Sequence, residues 1–149
     1  MTNMALKLDK YISNDAFQTK ILGEKLAKQI QGGEVIFLYG DLGSGKTTFT
    51  QGFINYFIQN KRVPSPTFII VRQYDVKHAA ISKIYHVDLY RLETMEDIQT
   101  LGILELFNNP NNVFLIEWPE KLDKHMIKNR INVKFNIING NKREIKIYG

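Results

Sequence analysis

The sequence predicts a three-layer α/β domain whose central sheet mixes parallel and antiparallel strands. Two continuous apolar segments, Val35 to Tyr39 and Val113 to Ile116, are too short for helices and are typical of strands buried on both faces. Between Ile131 and Tyr148 apolar and polar residues alternate around Asn139-Gly140, which predicts a C-terminal β-hairpin with one buried face. Helical segments lie between these strands, so we expect helices packed on a mixed sheet.

The first part of the chain predicts a helix, a strand and a second helix. Polar residues begin the first helix, which covers Ser13 to Gln31 and stops at Gly32-Gly33. The apolar residues at helical spacing in it are Phe17, Ile21, Leu22, Leu26 and Ile30. The strand Val35 to Tyr39 then leads directly into Gly40. After it Phe49, Phe53 and Phe57 recur every four residues, so the second helix has an aromatic face toward the sheet.

The middle of the chain predicts two strands and a short helix. Pro64 and Pro66 exclude a regular element, so Arg62 to Thr67 is expected to be a loop. We expect strands at Phe68 to Tyr74 and at Lys83 to Asp88. A capping-box pattern from Thr94 to Asp97 opens a short helix, and Asn108 to Asn112 is a turn.

Length and composition favour a single domain, residues 1–149, in the cytoplasm. At 149 residues and 44% hydrophobic content the chain can bury one core. No run of eighteen apolar residues is present, and residues Met1 to Lys10 lack the pattern of a signal peptide, so we expect no membrane partner. The absence of cysteine excludes disulfides and thiolate metal sites.

The net charge of +5 leaves two interpretations open. Lysine and arginine bind nucleic-acid phosphates, so a basic chain can indicate a nucleic-acid partner. The basic residues are scattered along this sequence, however, and the chain is also rich in asparagine and isoleucine, so a genome rich in A and T is the favoured explanation.

The segment from Gly40 to Thr47 matches the Walker A pattern and predicts a P-loop for ATP and Mg²⁺. Its glycines let backbone N–H groups point at phosphate oxygens, and the following helix directs its positive N-terminus at the same anion. Lys46 is expected to reach the β- and γ-phosphates, and Thr47 to offer its hydroxyl to Mg²⁺. The alternative, an ordinary glycine-rich turn, is disfavoured by the strand before and the amphipathic helix after. The expected nucleotide-binding residues of this segment are Asp41, Leu42, Gly43, Ser44, Gly45, Lys46, Thr47 and Thr48.

Other candidate residues leave alternatives open. Glu117 ends an apolar strand where a Walker B acid reaches Mg²⁺, although it is also compatible with a surface carboxylate. His86 and Asp88 share a strand face and are able to position water, but a buried structural hydrogen bond of His86 fits the spacing equally well. Ser65 and Thr67 lie where nucleotide switch proteins place a hydroxyl that senses the γ-phosphate.

Four blocks in chain order resemble the TsaE family, formerly called YjeE. The blocks are Gly40 to Phe49, Ser65 to Phe68, His86 to Leu92 and Ile116 to Glu120. The resemblance runs from about Thr19 to the terminal hairpin. It implies a bacterial ATPase needed to make N6-threonylcarbamoyladenosine at position 37 of tRNAs that read ANN codons. It also implies that the chain works with the TsaD and TsaB proteins, whose complex performs the transfer, and contacts tRNA only through them.

The resemblance also implies roles for individual residues. Lys46 and Thr47 are the phosphate and Mg²⁺ residues, and Thr67 is a switch-like hydroxyl that belongs to the nucleotide-binding set. Asp88 is a catalytic carboxylate near the γ-phosphate, and Glu117 is an acid linked to Mg²⁺. The expected catalytic residues are therefore Lys46, Asp88 and Glu117, with the division of work between the two acids left open. Trp118 is implied only as a neighbouring aromatic residue.

Two other classes of function compete with this interpretation. A small P-loop kinase would pass the γ-phosphate to a metabolite, but such kinases usually carry an arginine-rich lid and a substrate-binding insertion. The arginines at positions 62, 72, 91, 130 and 143 do not cluster in the sequence. A non-catalytic nucleotide switch or an RNA-binding module is the second alternative, which slow turnover or direct tRNA binding would favour.

Overall fold

The computed structural model describes residues 9–65, 70–123, 127 and 130–149. Within these residues the chain forms a mixed α/β fold. The strands are β1 Asp9–Ser13, β2 Val35–Tyr39, β3 Val71–His78, β4 Ile81–Asp88, β5 Asn112–Glu117, β6 Arg130–Asn139 and β7 Lys142–Tyr148. The helices are α1 Ala16–Ala27, α2 Lys46–Phe57 and α3 Met95–Thr100, with 3₁₀ turns at Leu104–Asn108 and Pro119–Lys121.

The seven strands form one sheet in the order β1-β7-β6-β2-β5-β4-β3. The central strand β2 pairs in parallel with both β5 and β6, and β5 pairs in parallel with β4. The outer pairs are antiparallel, namely β3 with β4, β6 with β7 and β1 with β7. The predicted mixture of parallel and antiparallel strands and the C-terminal hairpin are therefore confirmed.

Both faces of the central strands are covered, which gives the predicted three layers. In β2, Ile36 and Leu38 pack with helices α1 and α2, whereas Val35 and Phe37 pack with α3 and its neighbouring turns. On α2, Phe49 and Phe53 are fully buried, and each such side chain stabilises the fold by about 1.5–3 kcal/mol. None of the helices in the described part of the chain is long and apolar enough to cross a membrane.

The first helix is shorter than the sequence predicts. It begins after the N-cap Asp15, whose side chain accepts a hydrogen bond from the Gln18 amide, and it ends at Ala27. Ser13 belongs instead to β1, a strand that the sequence did not predict because its alternation is only five residues long. Two of the apolar residues at helical spacing, Phe17 and Ile21, are exposed to 70% and 39%.

Other boundaries differ by a few residues. The strand expected at Phe68 to Tyr74 is β3, which begins at Val71 and continues to His78, and residues 66–69 lie outside the described part of the chain. The hairpin turns at Asn139-Gly140 as predicted, but Ile137, expected on its buried face, is 48% exposed and lies where the register shifts. The predicted capping box at Thr94 to Asp97 is confirmed, with both reciprocal hydrogen bonds present.

Two glycines allow α1 and α2 to cross with their backbones in contact. A Cβ atom placed on Gly23 would lie 2.0 Å from the Phe49 carbonyl oxygen, and one placed on Gly52 would lie 2.0 Å from the Lys20 carbonyl oxygen. Neither obstacle is a flexible side chain, so a larger residue must push the helices apart. This crossing fixes α2, and with it the end of the P-loop, against α1.

Replacing Gly52 by alanine therefore tests the crossing. Overpacking of this kind costs about 1–3 kcal/mol, and we expect Gly52→Ala to lower the free energy of unfolding by at least this amount in urea denaturation. Lys20→Ala is the matched control, because it removes an exposed side chain from the residue whose carbonyl is contacted and is expected to change stability by about 0.5 kcal/mol or less. Equal stability of the two variants would contradict the close crossing.

Candidate functional site

Three parallel strands end at the same edge of the sheet and bring the candidate residues together. Gly40 follows β2, Glu117 ends β5, and Asp88 ends β4. In the strand register Leu38 lies opposite Glu117, and Glu117 lies opposite Asp88. The P-loop and the two predicted acids therefore occupy adjacent positions, as expected at the carboxyl ends of parallel strands.

The N-terminus of α2 has the backbone geometry of an anion site. Gly45 is the N-cap residue with φ of 108°, a left-handed conformation that glycine adopts without strain, and it makes no side-chain capping hydrogen bond. The first N–H groups of α2 thus lack a side-chain acceptor, and the helix dipole favours negative charge there. Thr47 and Thr48, in the first turn, are half-buried. These features fit the phosphates of a nucleotide.

Lys46 is a buried cation at the centre of the site. Its side chain is nearly inaccessible to solvent, and Nζ donates a hydrogen bond to the Gly40 carbonyl oxygen at 2.5 Å. Burial lowers the pKa of Lys46, while nearby carboxylates act in the opposite direction. In decreasing order of effect these are Glu117, Asp88, Glu120 and Asp41. An anionic ligand would add to the groups that favour the charged form.

Trp118 covers the ammonium group of Lys46. The Lys46 Nζ atom lies 4.2 Å from the centre of the Trp118 ring, a cation–π geometry. Tyr90 packs against Trp118, with 5.0 Å between the centroids of the two rings. Trp118 has φ of 59°, which is uncommon for a residue other than glycine and turns the chain sharply after Glu117. The tryptophan and Tyr90 are therefore part of the site.

Glu117 is hydrogen-bonded to His86 inside the protein. The His86 Nε2 atom lies 2.7 Å from Glu117 Oε2, and both side chains are buried. His86 Nδ1 is buried without a hydrogen-bond partner among the described residues. With Glu117 ionised, Nε2 must carry the ring proton that is shared with the carboxylate. This contact favours a structural hydrogen bond for His86, the alternative that the sequence left open, and excludes a surface position for Glu117.

Asp88 is buried and anchored to the turn that follows it. Its Oδ1 accepts a hydrogen bond from the Tyr90 amide at 2.9 Å, and its own amide donates to the Ile70 carbonyl oxygen at 2.8 Å. Ser65 is exposed, and Thr67 lies outside the described residues. The structure thus brings together Lys46, Asp88 and Glu117, but the switch-like role expected for Thr67 stays a prediction.

The donors at this edge suit magnesium. Mg²⁺ prefers oxygen ligands and usually combines one or two carboxylates with substrate phosphates and water. Thr47, whose side chain carries a hydroxyl, follows Lys46 in the first turn of α2. The carboxylate of Glu117 lies close enough to Lys46 to influence the pKa of the lysine. Thr47 and Glu117 therefore fit the metal role predicted for them.

Two neighbours of the site were missed or undervalued at the sequence level. Arg143, from the start of β7, donates hydrogen bonds to the carbonyl oxygens of Gly43 and Ser44 in the P-loop. The two segments are 99 residues or more apart in the chain, and no local pattern links them. For His86 the sequence left open a water-positioning role and a buried hydrogen bond, without naming the partner. Neither contact can be predicted without knowing how the strands pair.

The buried His86–Glu117 pair is testable by stability. Removing the donor of a buried hydrogen bond leaves the carboxylate oxygen unsatisfied and costs about 1–3 kcal/mol, or more for a charged acceptor. We expect His86→Ala to lower the free energy of unfolding by this amount. His78→Ala is the control, because His78 is exposed and should cost about 1 kcal/mol or less. Similar losses from both variants, measured by urea denaturation, would argue against a paired Glu117.

Comparison with known proteins agrees with this geometry. A family model described as threonylcarbamoyl adenosine biosynthesis protein TsaE matches residues 13–145. Proteins named tRNA threonylcarbamoyladenosine biosynthesis protein TsaE are similar over most of the chain. The protein from Rickettsia felis is 37% identical, over 89% of this chain and 75% of the Rickettsia protein. The protein from Bacillus subtilis is 34% identical, over 86% of this chain and 77% of the Bacillus protein.

A solved structure has the same fold. The crystal structure of YdiB from Bacillus subtilis superposes with a TM-score of 0.75 and 28% sequence identity, over 98% of this chain and 87% of that chain. The TsaE protein of Haemophilus influenzae is 38% identical, over 76% of this chain and 72% of its own. The family model spans almost the whole described sheet, including the P-loop and both acids. This chain therefore belongs to the TsaE family.

Proposed function

We propose that the chain is a single ATPase domain that binds ATP with Mg²⁺ and hydrolyses it. Hydrolysis supports the TsaD–TsaB complex while that complex threonylcarbamoylates adenosine 37 in tRNAs that read ANN codons. The observation that carries the ATPase part is the placement of Lys46, Asp88 and Glu117 at one sheet edge, where the P-loop ends. Membership in the TsaE family supports the pathway.

The P-loop and Lys46 bind and orient the phosphates in this proposal. Backbone N–H groups of the first turn of α2 bind phosphate oxygens, and the Lys46 ammonium moves from the Gly40 carbonyl oxygen to the β- and γ-phosphates. Trp118 and the buried surroundings of Lys46 reduce its contact with water, which strengthens the attraction between unlike charges.

Thr47 and Glu117 hold the magnesium ion. When bound, Mg²⁺ supplies positive charge that neutralises the phosphate oxygens. His86 holds Oε2 of Glu117 through a hydrogen bond, so the carboxylate that would bind the cation has a fixed position. The histidine thus orients an acid whose own strand ends beside the P-loop strand.

Asp88 is the proposed general base. A water oxygen attacks the γ-phosphorus, the bond to the oxygen bridging the β- and γ-phosphates breaks, and ADP leaves with that oxygen. The proton of the water passes to Asp88, which the Tyr90 amide holds in place through Oδ1. Because Glu117 is paired with His86 and assigned to the cation in this proposal, Asp88 is assigned the proton transfer.

Membership in the family supports the proposed partners and location. The relatives' names place those proteins in tRNA threonylcarbamoyladenosine biosynthesis, which supports TsaD and TsaB as partners of this chain and contact with tRNA through their complex. The cytoplasm, where tRNA is modified, is the corresponding location.

The proposal is tested by measuring ATP hydrolysis with the purified chain alone and after addition of TsaD, TsaB and unmodified tRNA. Transfer of phosphate to a metabolite would instead favour a kinase, and binding without turnover would favour a nucleotide switch.

Removing the Lys46 ammonium should abolish the reaction. Loss of one preorganised electrostatic group costs about 10²–10³-fold in turnover, and we expect Lys46→Ala to lose at least this much in a phosphate-release assay with the partners present. Lys77→Ala removes an exposed lysine from β3 and should retain wild-type turnover. Comparable rates for the two variants would remove Lys46 from the site.

The two acids should separate in their effects. Asp88→Asn keeps an oxygen for the Tyr90 amide but cannot accept a proton, so we expect ATP affinity within about threefold of wild type and turnover lower by about 10²–10⁴-fold. Glu117→Gln should instead raise the Mg²⁺ concentration needed for half-maximal turnover. The measurement is a Mg²⁺ titration of single-turnover hydrolysis. Hydrolysis retained in Asp88→Asn would transfer the general-base role to Glu117.

A further inference from the structure

The hairpin formed by β6 and β7 continues past the sheet and lies against the P-loop. Strand β6 pairs with β2 only as far as Lys134, which lies opposite Tyr39, and then continues to Asn139 with β7 as its partner. Phe135 lies at the start of this extension. Its ring packs edge-on against Phe49 of α2 at 5.4 Å, and its backbone lies so close to Gly40 that a Cβ there would be 3.1 Å from the Phe135 oxygen.

Arg143 joins the tip of this hairpin to the P-loop through four carbonyl oxygens. Its Nη1 donates to Gly140 at 2.6 Å and to Lys142 at 3.2 Å, so the guanidinium is held by the hairpin turn. Its Nε donates to Ser44 at 3.2 Å and its Nη2 to Gly43 at 3.1 Å. Within the part of the chain that the structure describes, no carboxylate pairs with this arginine.

These contacts determine which way the P-loop amides point. The Ser44 carbonyl and the Gly45 N–H belong to one peptide unit, and the described peptide bonds are trans, so the two groups point in opposite directions. A carbonyl held toward Arg143 turns the Gly45 N–H away from the hairpin. Gly45 is the N-cap residue of α2, where the phosphates are expected to bind.

We propose that Arg143 is a positioning residue for nucleotide binding, which holds the P-loop in its phosphate-binding conformation before the nucleotide arrives. The inference deepens the proposed function and rests on it. Arginine suits this role because its planar group offers five donors in a fixed arrangement, whereas a lysine has one flexible ammonium. Because the loop is already ordered, it loses less conformational entropy when the nucleotide binds, and the affinity for the nucleotide is higher.

The test separates the geometry of Arg143 from its charge. In Arg143→Lys the positive charge remains but the planar group is lost, and we expect the Kd for ADP, measured by calorimetry, to rise about tenfold. Arg143→Ala should raise it at least as much. Lys146→Ala is the matched control, because it removes one positive charge from the same strand at a residue whose ion pair is with Glu144. Its Kd should stay within about twofold of wild type.

A second measurement follows the loop itself. In nucleotide-free protein, amide hydrogen exchange of peptides covering residues 40–47 should be faster in Arg143→Lys than in wild type and unchanged in Lys146→Ala. Wild-type affinity and exchange in both Arg143 variants would overturn the inference and leave the ATPase proposal standing. A lower melting temperature with unchanged affinity would also overturn it, since a merely structural residue gives that result. Absence of ADP binding by the wild-type chain would overturn both proposals.

Discussion

Parallel pairing of β2 with β5 and of β5 with β4 determines where chemistry is possible in this molecule. Parallel strands all end at one edge of a sheet, and the registers place Leu38 beside Glu117 and Glu117 beside Asp88. A slip of one residue in either pair would direct the acid to the opposite face. Both faces of β2 and β5 are buried, so a slip would disturb close side-chain packing in two layers at once.

The buried charges at this edge depend on one another. Lys46 is taken out of water by the fold, but Glu117 and Asp88 lie close enough to favour its charged form. Glu117 is also buried, and it is paired with His86 on the neighbouring strand β4. Such pairs repay their desolvation only when the geometry is good. The protein thus keeps a costly cluster of charges that a phosphate ligand and a cation would complete, as expected of a binding site and not of a core built for stability alone.

Much of this arrangement follows from the sequence, and the remainder has identifiable physical reasons. The strands β2 and β5, the aromatic face of α2 and the capping box of α3 are set by local periodicity and local hydrogen bonds, so short patterns reveal them. The first strand and the exposure of Phe17 escaped because a five-residue edge strand has too little periodicity and because hydrophobic spacing alone does not tell which side of a helix is covered. For the site, motif spacing indicated Lys46 and Glu117, and the family resemblance added Asp88. Spacing could not indicate that His86 bonds to Glu117, because the two residues are 31 positions apart. Nor could it indicate the contact of Arg143 with Ser44, which spans 99 positions.

The long separation between Ser44 and Arg143 also matters for synthesis of the protein. Folds dominated by distant contacts form slowly, and here the central strand β2 finds both of its neighbours, β5 and β6, more than 70 residues downstream. At a translation rate of about 5–20 residues per second, Ser44 leaves the ribosome about 5–20 s before Arg143. For most of that interval the chain lacks β5 and β6, and until its end the glycine-rich loop lacks the support of Arg143. With Arg143 in the positioning role proposed for it, the loop of a nascent chain gains this support only after the C-terminal strands have been made.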